Sequence, residues 1–313
     1  MTGSPFGNAA EEAPKKPLAF GKATKKTKTP FRMLLAAVEG FGKTTMGAFA
    51  PNAAILMSKR ETGYTVLREH NRVPEVMTLL NEDGTPRPVS DWNEYIETLK
   101  WMRDGGAEGI ENLSIDSIGD FAHMNNEKVC RDEYNGDWGK SGFMSYMQGY
   151  SAAIPSWIES LALLDQIQAK WGTNVIFLGH VIIKPYKNPT GADFDRFQID
   201  MHEKVWGPTR KWLDAIFNGQ YVSVLVTDDG KDKGRKKGIG GTDRVVYTER
   251  RDAYDAKNRF GLPEAIDIPD NPTKVWSTIA DAIEYAKENC VLVPNDLWPG
   301  GYDIKDKSEV DKK

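Results

Sequence analysis

Cysteine is scarce: Cys130 and Cys290 are the only two among 313 residues. Two thiols so far apart supply neither a zinc site nor a disulfide framework, and such usage suits a reducing compartment. No apolar run approaches the roughly 18 residues that a membrane span requires, and the opening stretch MTGSPFGNAAEEAPKK has no apolar segment of the signal-peptide kind. These absences predict a cytosolic chain with no membrane partner. A large charge of one sign is also missing, the formal net charge being -4. Nucleic-acid binding would therefore rest on local basic patches rather than on the field of the whole chain. No internal repeat is visible, and the 40% hydrophobic content suffices for one large domain or two small ones.

What is present divides into three parts. Residues 1–30 are rich in Gly, Pro, Ala, Thr and Lys without a hydrophobic period, which predicts a flexible arm. Lys15, Lys16, Lys22, Lys25, Lys26 and Lys28 make this arm basic, either as a solvated linker or as an arm for nucleic acid. In residues 31–270 short apolar runs alternate with longer amphipathic ones. RMLLAAV (32–38), AAILMS (53–58), IENLSID (110–116) and TNVIFLG (173–179) read as strands buried on both faces. Helices are predicted at 43–50, 90–105, 117–133 and about 150–170. This alternation predicts an α/β core, a mainly parallel central sheet with flanking helices. After about residue 215, two alternating segments around a Gly/Lys-rich turn predict a C-terminal antiparallel β-hairpin. Residues 271–313 read as an amphipathic helix started by Asn271 and Pro272, then a charged, disordered tail.

The stretch LLAAVEGFGKTTMGAF passes from a buried strand into a helix through a glycine-lysine-threonine turn. The phosphate-loop pattern G-x-x-x-x-G-K-[ST] aligns with Ala37 to Thr44, matching at Gly42, Lys43 and Thr44 but carrying Ala37 for the first glycine. Gly40 and Gly42 supply the backbone freedom that turns successive N–H groups toward phosphate oxygens. Lys43 would neutralise the β- and γ-phosphates, the Thr44 hydroxyl would bind Mg²⁺, and the following helix would add the positive end of its dipole. Glu39, Gly40, Phe41, Gly42, Lys43, Thr44 and Thr45 are thus the expected ATP-binding set. Asp116, after the apolar positions Leu113 and Ile115, is the acid expected to support Mg²⁺ through water; a helix N-cap role is compatible with the same place. A hydrolytic enzyme also needs a group to orient water. Asp116 is followed by Ser117, not glutamate, so the candidate is Glu61, after the strand AAILMS; a solvated loop glutamate is the bland alternative.

VEGFGKTT, with Glu39 at its third residue, resembles the RecA-type phosphate loop. LSIDSIGDF resembles the RecA-type Walker B strand, and VIFLGH resembles the strand ending in a polar γ-phosphate sensor, here His180. AKNRFGLP (256–263) resembles both DnaB-type helicases and phage-encoded RecA-core ATPases of the single-strand-annealing recombinase kind. The compact chain looks most like the phage group over about residues 31–270. The resemblance implies a RecA-like P-loop core, Glu61 at the catalytic-glutamate position, and Lys257 and Arg259 as fingers that reach a neighbouring subunit's γ-phosphate. It also implies a homo-oligomeric ring or filament on single-stranded DNA, with a single-stranded-DNA-binding protein as a further partner, in the host-cell cytoplasm if the chain is phage-encoded.

In that architecture, mobile loops after the Walker B helix and the sensor strand face the DNA. The second is VIIKPYKNPTGADFDRFQID, with Lys184, Tyr186, Lys187 and Arg196; the first holds Tyr134, Trp138, Lys140 and Phe143. Mixed cations and aromatics suit phosphate contact and base stacking, though Asp193, Asp195 and Asp200 dilute the second loop. Lys231, Lys233 and Arg235, with Lys236 and Lys237, form the densest basic cluster outside the arm. The expected activity is a Mg²⁺-dependent, DNA-stimulated ATPase acting in annealing or strand exchange. A DnaB-like helicase or translocase and a non-hydrolysing mediator that uses ATP as an assembly switch are the rivals. A small-molecule kinase would need an arginine-rich lid near the loop, and none is evident.

Overall fold

The computed structural model describes residues 29–227, 236–294 and 302–307. Its central strand, β1 (Arg32–Ala37), is apolar on both faces because it is covered on both. Leu34 and Ala36 point into one core; Met33, Leu35 and Ala37 point into the other. Beside β1 lie β4 (Asn174–Tyr186) and β6 (Ala215–Thr227), both parallel to it; β3 (Asn112–Asp116) and β2 (Ala53–Met57) continue the parallel sheet beyond β4. β7 (Lys236–Tyr247) then runs antiparallel to β6, and β9 (Ala265–Ile268) pairs with β7, giving the order β2-β3-β4-β1-β6-β7-β9. The expected α/β architecture and the antiparallel hairpin are both present, the hairpin growing out of β6 as part of the sheet. Its turn, with Lys231, Lys233 and Arg235, lies outside the described residues, as does the basic arm.

One face is covered by α3 (Trp92–Trp101), α4 (Ile118–Tyr134), α6 (Ile154–Trp171) and α7 (Glu203–Trp212), through residues such as Trp92, Phe121, Trp157 and Trp206. α3 starts cleanly: Asp91 accepts from the Glu94 N–H, and the Glu94 carboxylate accepts from the Ser90 N–H at 2.7 Å. The opposite face carries α1 (Lys43–Ala48) and α8 (Pro272–Asn289), whose Val275, Trp276, Ile279 and Ile283 join the core of Met33, Leu35 and Phe217. Each such side chain contributes roughly 1.5–3 kcal/mol on full burial, so α8 is packed into this core. The smaller elements are α2 (Gly63–Glu69), α5 (Gln148–Ala152), β5 (Phe194–Ile199) and β8 (Lys257–Asn258).

Two expectations are corrected. The segment after the sensor strand is not an open loop: β4 runs on to Tyr186 and pairs antiparallel with β5, Lys184 opposite Arg196 and Tyr186 opposite Phe194. Within the tail read as disordered, β11 (Tyr302–Asp306) pairs with β10 (Cys290–Pro294), an alternation of Tyr and Ile with charged residues that suits a strand.

Candidate functional site

In an open parallel sheet, loops at the carboxyl ends of the strands build the binding crevice. Here that edge gathers the loop after β1, Glu61 beyond β2, Asp116 ending β3, and His180 on β4 opposite Ala37 of β1. Lys43, Thr44, Glu61, Asp116 and His180 therefore converge from segments up to 137 residues apart.

The Lys43 ammonium is buried and folds back along its own loop. It donates to the carbonyls of Ala37 at 3.1 Å and Val38 at 3.0 Å, and its Nζ stands 3.3 Å from His180 Nδ1. Burial lowers its pKa; the carboxylates of Asp116, Glu61 and Glu39 oppose that shift. The Thr44 hydroxyl donates to Asp116 Oδ2 at 2.6 Å. Asp116 is buried and its Oδ1 has no hydrogen-bond partner among the described residues. Burial, reinforced by Glu61, pushes its carboxyl up to about 6. The Asp116–Ser117 peptide is cis. Glu61 Oε1 accepts from the Gly63 N–H at 3.0 Å, and Oε2 lies 3.8 Å from His180 Nε2, beyond direct hydrogen-bond length. The neighbouring imidazole holds Glu61 below the usual carboxylate range, against the effect of burial. A Cβ at Gly63 would sit 2.9 Å from the Glu61 carboxylate and 3.0 Å from the Thr44 hydroxyl, so a larger residue there would press on both groups.

This donor set fits Mg²⁺. The Thr44 hydroxyl and the unpaired Asp116 oxygen are hard ligands on one side of a phosphate loop, and Mg²⁺ takes one or two such groups plus phosphates and water. The described residues contain no cluster of three His, Cys, Asp or Glu that could hold a metal by itself.

The loop is shaped by its glycines, Gly40 at φ 75° and Gly42 at φ 98°. Glu39 is exposed, and Thr45 lies one residue further along α1 than Thr44. Phe41 requires a correction: its side chain is fully buried, packed against Tyr221 and lying beneath Arg244, so only its backbone faces a nucleotide. Ala37, at the first-glycine position, is opposite Gly219 of β6. A Cβ at Gly219 would lie 2.9 Å from that of Ala37 and 2.7 Å from the Phe41 ring. The neighbouring strand thus supplies the room that a glycine would otherwise supply.

Lys257 and Arg259 are not brought to this site. β8 pairs with the start of β6, Asn258 opposite Ala215, at the other end of the strands from the phosphate loop. Lys257 Nζ caps α7 by donating to the carbonyls of Arg210, Lys211 and Leu213; Arg259 pairs with Asp214 at 2.9 Å.

Of the expected DNA contacts, Lys184 borders a cavity of about 330 Å³ with Arg60, Tyr150, His180, Asp200 and His202. Lys187 is exposed and pairs with Asp193 at 2.7 Å. Tyr186 lies 5.3 Å from Phe194 with the rings tilted by 45°, and under the Arg196 guanidinium. Arg196 is corrected: only 6% exposed and bound to Asp255 at 2.5 Å, it is a buried ion-pair partner and cannot reach a DNA phosphate. In the earlier segment, Phe143 is buried with Tyr134 and Trp138 around it, whereas Tyr146 is 93% exposed beside Met144 and Met147. Sequence reasoning missed Arg60, Tyr221 and Arg244, which no local motif marks.

No curated protein matches the chain. Solved structures with a distant likeness include the RadB recombinase, at 14% identity and TM-score 0.38, covering 77% of this chain and 89% of that one. The flagellar accessory protein FlaH from Methanocaldococcus jannaschii gives 11% and 0.37, covering 77% and 86%. An ATPase from the type III secretion system of pathogenic bacteria gives 16% and 0.36, covering 61% and 52%. Likeness so distant assigns no activity or partner. The family model for the AAA domain, however, matches residues 29–260, a span that takes in every strand of the nucleotide edge. The chain belongs to the AAA-domain family.

Proposed function

We propose that the chain is a Mg²⁺-dependent ATPase that binds single-stranded DNA as a ring or filament of its own copies and promotes annealing or strand exchange. The observation that carries the nucleotide part is the Thr44–Asp116 hydrogen bond, 2.6 Å, with one Asp116 oxygen left unpaired beside Lys43. On nucleotide binding, Lys43 would exchange the Ala37 and Val38 carbonyls for phosphate oxygens, and Thr44 and Asp116 would hold the metal. Mg²⁺, when bound there, would supply charge neutralisation for the phosphates. Glu61, kept ionised by the nearby imidazole, accepts the proton of the attacking water or orients it, while His180 stands between Glu61 and Lys43 where it senses the terminal phosphate.

The finger role falls to Arg259 more than to Lys257. Arg259 is about half exposed (55%), whereas Lys257 is committed to carbonyls at the end of α7. Both stand at the far end of the strands from their own loop, four residues or roughly 13 Å along β1. A γ-phosphate contact from Arg259 therefore needs a second copy of the chain. Lys184 and Lys187 on the β4–β5 hairpin, with the exposed Tyr146, are the favoured contacts for single-stranded DNA.

The test is ATP turnover by the full chain with and without single-stranded DNA, for wild type and Arg259→Ala. DNA-stimulated turnover that is lost in Arg259→Ala, with ATP binding retained, supports a site completed by a neighbour. ATP binding with background turnover in both conditions supports the switch-like mediator instead.

A further inference from the structure

Two carbonyl groups of the phosphate loop are held from outside the loop. The Tyr221 hydroxyl donates to the Gly40 carbonyl at 2.7 Å. Arg244 Nη1 donates to the Phe41 carbonyl at 2.8 Å, while its Nη2 is anchored on the Pro269 carbonyl at 2.8 Å. Tyr221 and Arg244 face each other as one rung of the β6–β7 ladder, so a single cross-strand pair engages two consecutive peptides.

We propose that Tyr221 and Arg244 are positioning residues for the nucleotide's phosphates, a role that rests on the ATP-binding reading above. In a planar trans peptide the C=O and the following N–H point in opposite directions. Fixing the Gly40 carbonyl outward therefore aims the Phe41 N–H inward, and fixing the Phe41 carbonyl aims the Gly42 N–H inward. Among the described residues neither of these N–H groups has a hydrogen-bond partner. They are the donors that a concave run of loop amides presents to an anion.

Three further contacts make the clamp specific. The Phe41 ring fills the space between the two residues, 6.0 Å from Tyr221 edge-on and 5.9 Å from the guanidinium. A Cβ at Gly42 would lie 2.8 Å from Arg244 Nη1, so the close approach of the guanidinium requires glycine there. Pro269 follows β9, the outermost strand of the sheet, so the clamp ties the loop to the part of the sheet farthest from β2. The loop's lysine and threonine would bind phosphate and metal; the hairpin sets the direction of the two amides that precede them.

The experiment is calorimetric titration of Mg–ATP into the full chain, with the melting temperature of the nucleotide-free protein measured in parallel. Tyr221→Phe keeps the ring against Phe41 and removes only the hydroxyl. Its dissociation constant is expected to rise about fivefold, the share of one hydrogen bond. Arg244→Ala, which loses a charged donor, is expected to weaken binding by about tenfold or more. Arg244→Lys, which retains one donor, falls between Arg244→Ala and wild type. Melting temperatures of Tyr221→Phe and Arg244→Lys stay within about 2 °C of wild type, since each variant keeps the side chain's packing and opens no cavity. Should Arg244→Ala fail to fold, these two variants decide alone. Wild-type affinity in both overturns the proposal. So does an affinity loss that merely follows a lowered melting temperature. A wild-type chain that binds no Mg–ATP fails the nucleotide reading itself, and the proposal falls with it.

Discussion

Replacing Gly219 by alanine puts a methyl group 2.7 Å from the Phe41 ring and 2.9 Å from the Ala37 side chain. Neither neighbour can yield easily. Phe41 is fully buried with Tyr221 and Arg244 packed on it, and Ala37 is part of β1 at the middle of the sheet. Overpacking of this kind costs about 1–3 kcal/mol, a fall of roughly 2–5 °C in Tm for a chain of this size. The displaced ring also moves the loop that carries Lys43, so Mg–ATP affinity falls together with Tm. Ala37→Gly added to Gly219→Ala restores the glycine of the phosphate-loop pattern and removes one of the two clashes, recovering part of the loss. Gly207→Ala is the control: that glycine lies inside α7 with nothing within 4 Å of the new methyl group, and the change stabilises by up to about 1 kcal/mol. Scanning fluorimetry with and without Mg–ATP reads all four proteins. A Gly219→Ala protein with wild-type Tm and affinity would refute the reasoning, because it would mean that the loop and β6 are not in contact as described.

Asp116→Asn removes a buried charge whose Oδ1 is unpaired, so the nucleotide-free protein is expected to melt a few degrees higher while Mg–ATP no longer protects it; equal protection in both would count against Asp116 as the metal's support. Lys257→Met is expected to lower stability by about 1 kcal/mol through loss of the α7 cap. Arg259→Ala, by contrast, should leave Tm near wild type while abolishing turnover, a contrast readable in one fluorimetry and activity series. Arg87 holds the Glu94 carboxyl down at about 2, so this pair's contribution is complete above about 4.5 and fades as the pH falls toward 2. Glu94→Gln is expected to lose about 1 kcal/mol at pH 7, the pair being partly exposed, and the gap to wild type in urea melts should narrow below pH 4.5.

The strands and helices around the site were legible because their apolar period is strong: RMLLAAV and LSID admit little but buried strands, and SDWNEYIETLKW carries its own capping signal. The turn chemistry of GFGKTT marked the loop, and the buried-strand context of Asp116 marked its partner. Beyond His180, however, the RecA-type resemblance implied a loop, while pairing with β5 made a hairpin of that segment. Arg196 looked like a DNA contact because a lone arginine among aromatics carries no local sign of Asp255, 59 residues away. Phe41 likewise looked like a loop residue; its burial depends on Gly219 and Tyr221, which only the register of β1 against β6 brings alongside. YDIKD in the tail does alternate, but a five-residue strand among charges is weak until β10 pairs with it.

The central claim is that Lys43, Thr44, Glu61, Asp116 and His180 form one ATP-hydrolysing site that single-stranded DNA activates. The most direct measurement is steady-state ATP hydrolysis by the purified full chain with Mg²⁺, with and without single-stranded DNA, for wild type and Glu61→Gln. The account predicts turnover that rises on adding DNA and falls by about 10²–10⁴ in Glu61→Gln with Mg–ATP affinity retained. Turnover in Glu61→Gln equal to wild type, with or without DNA, would contradict it.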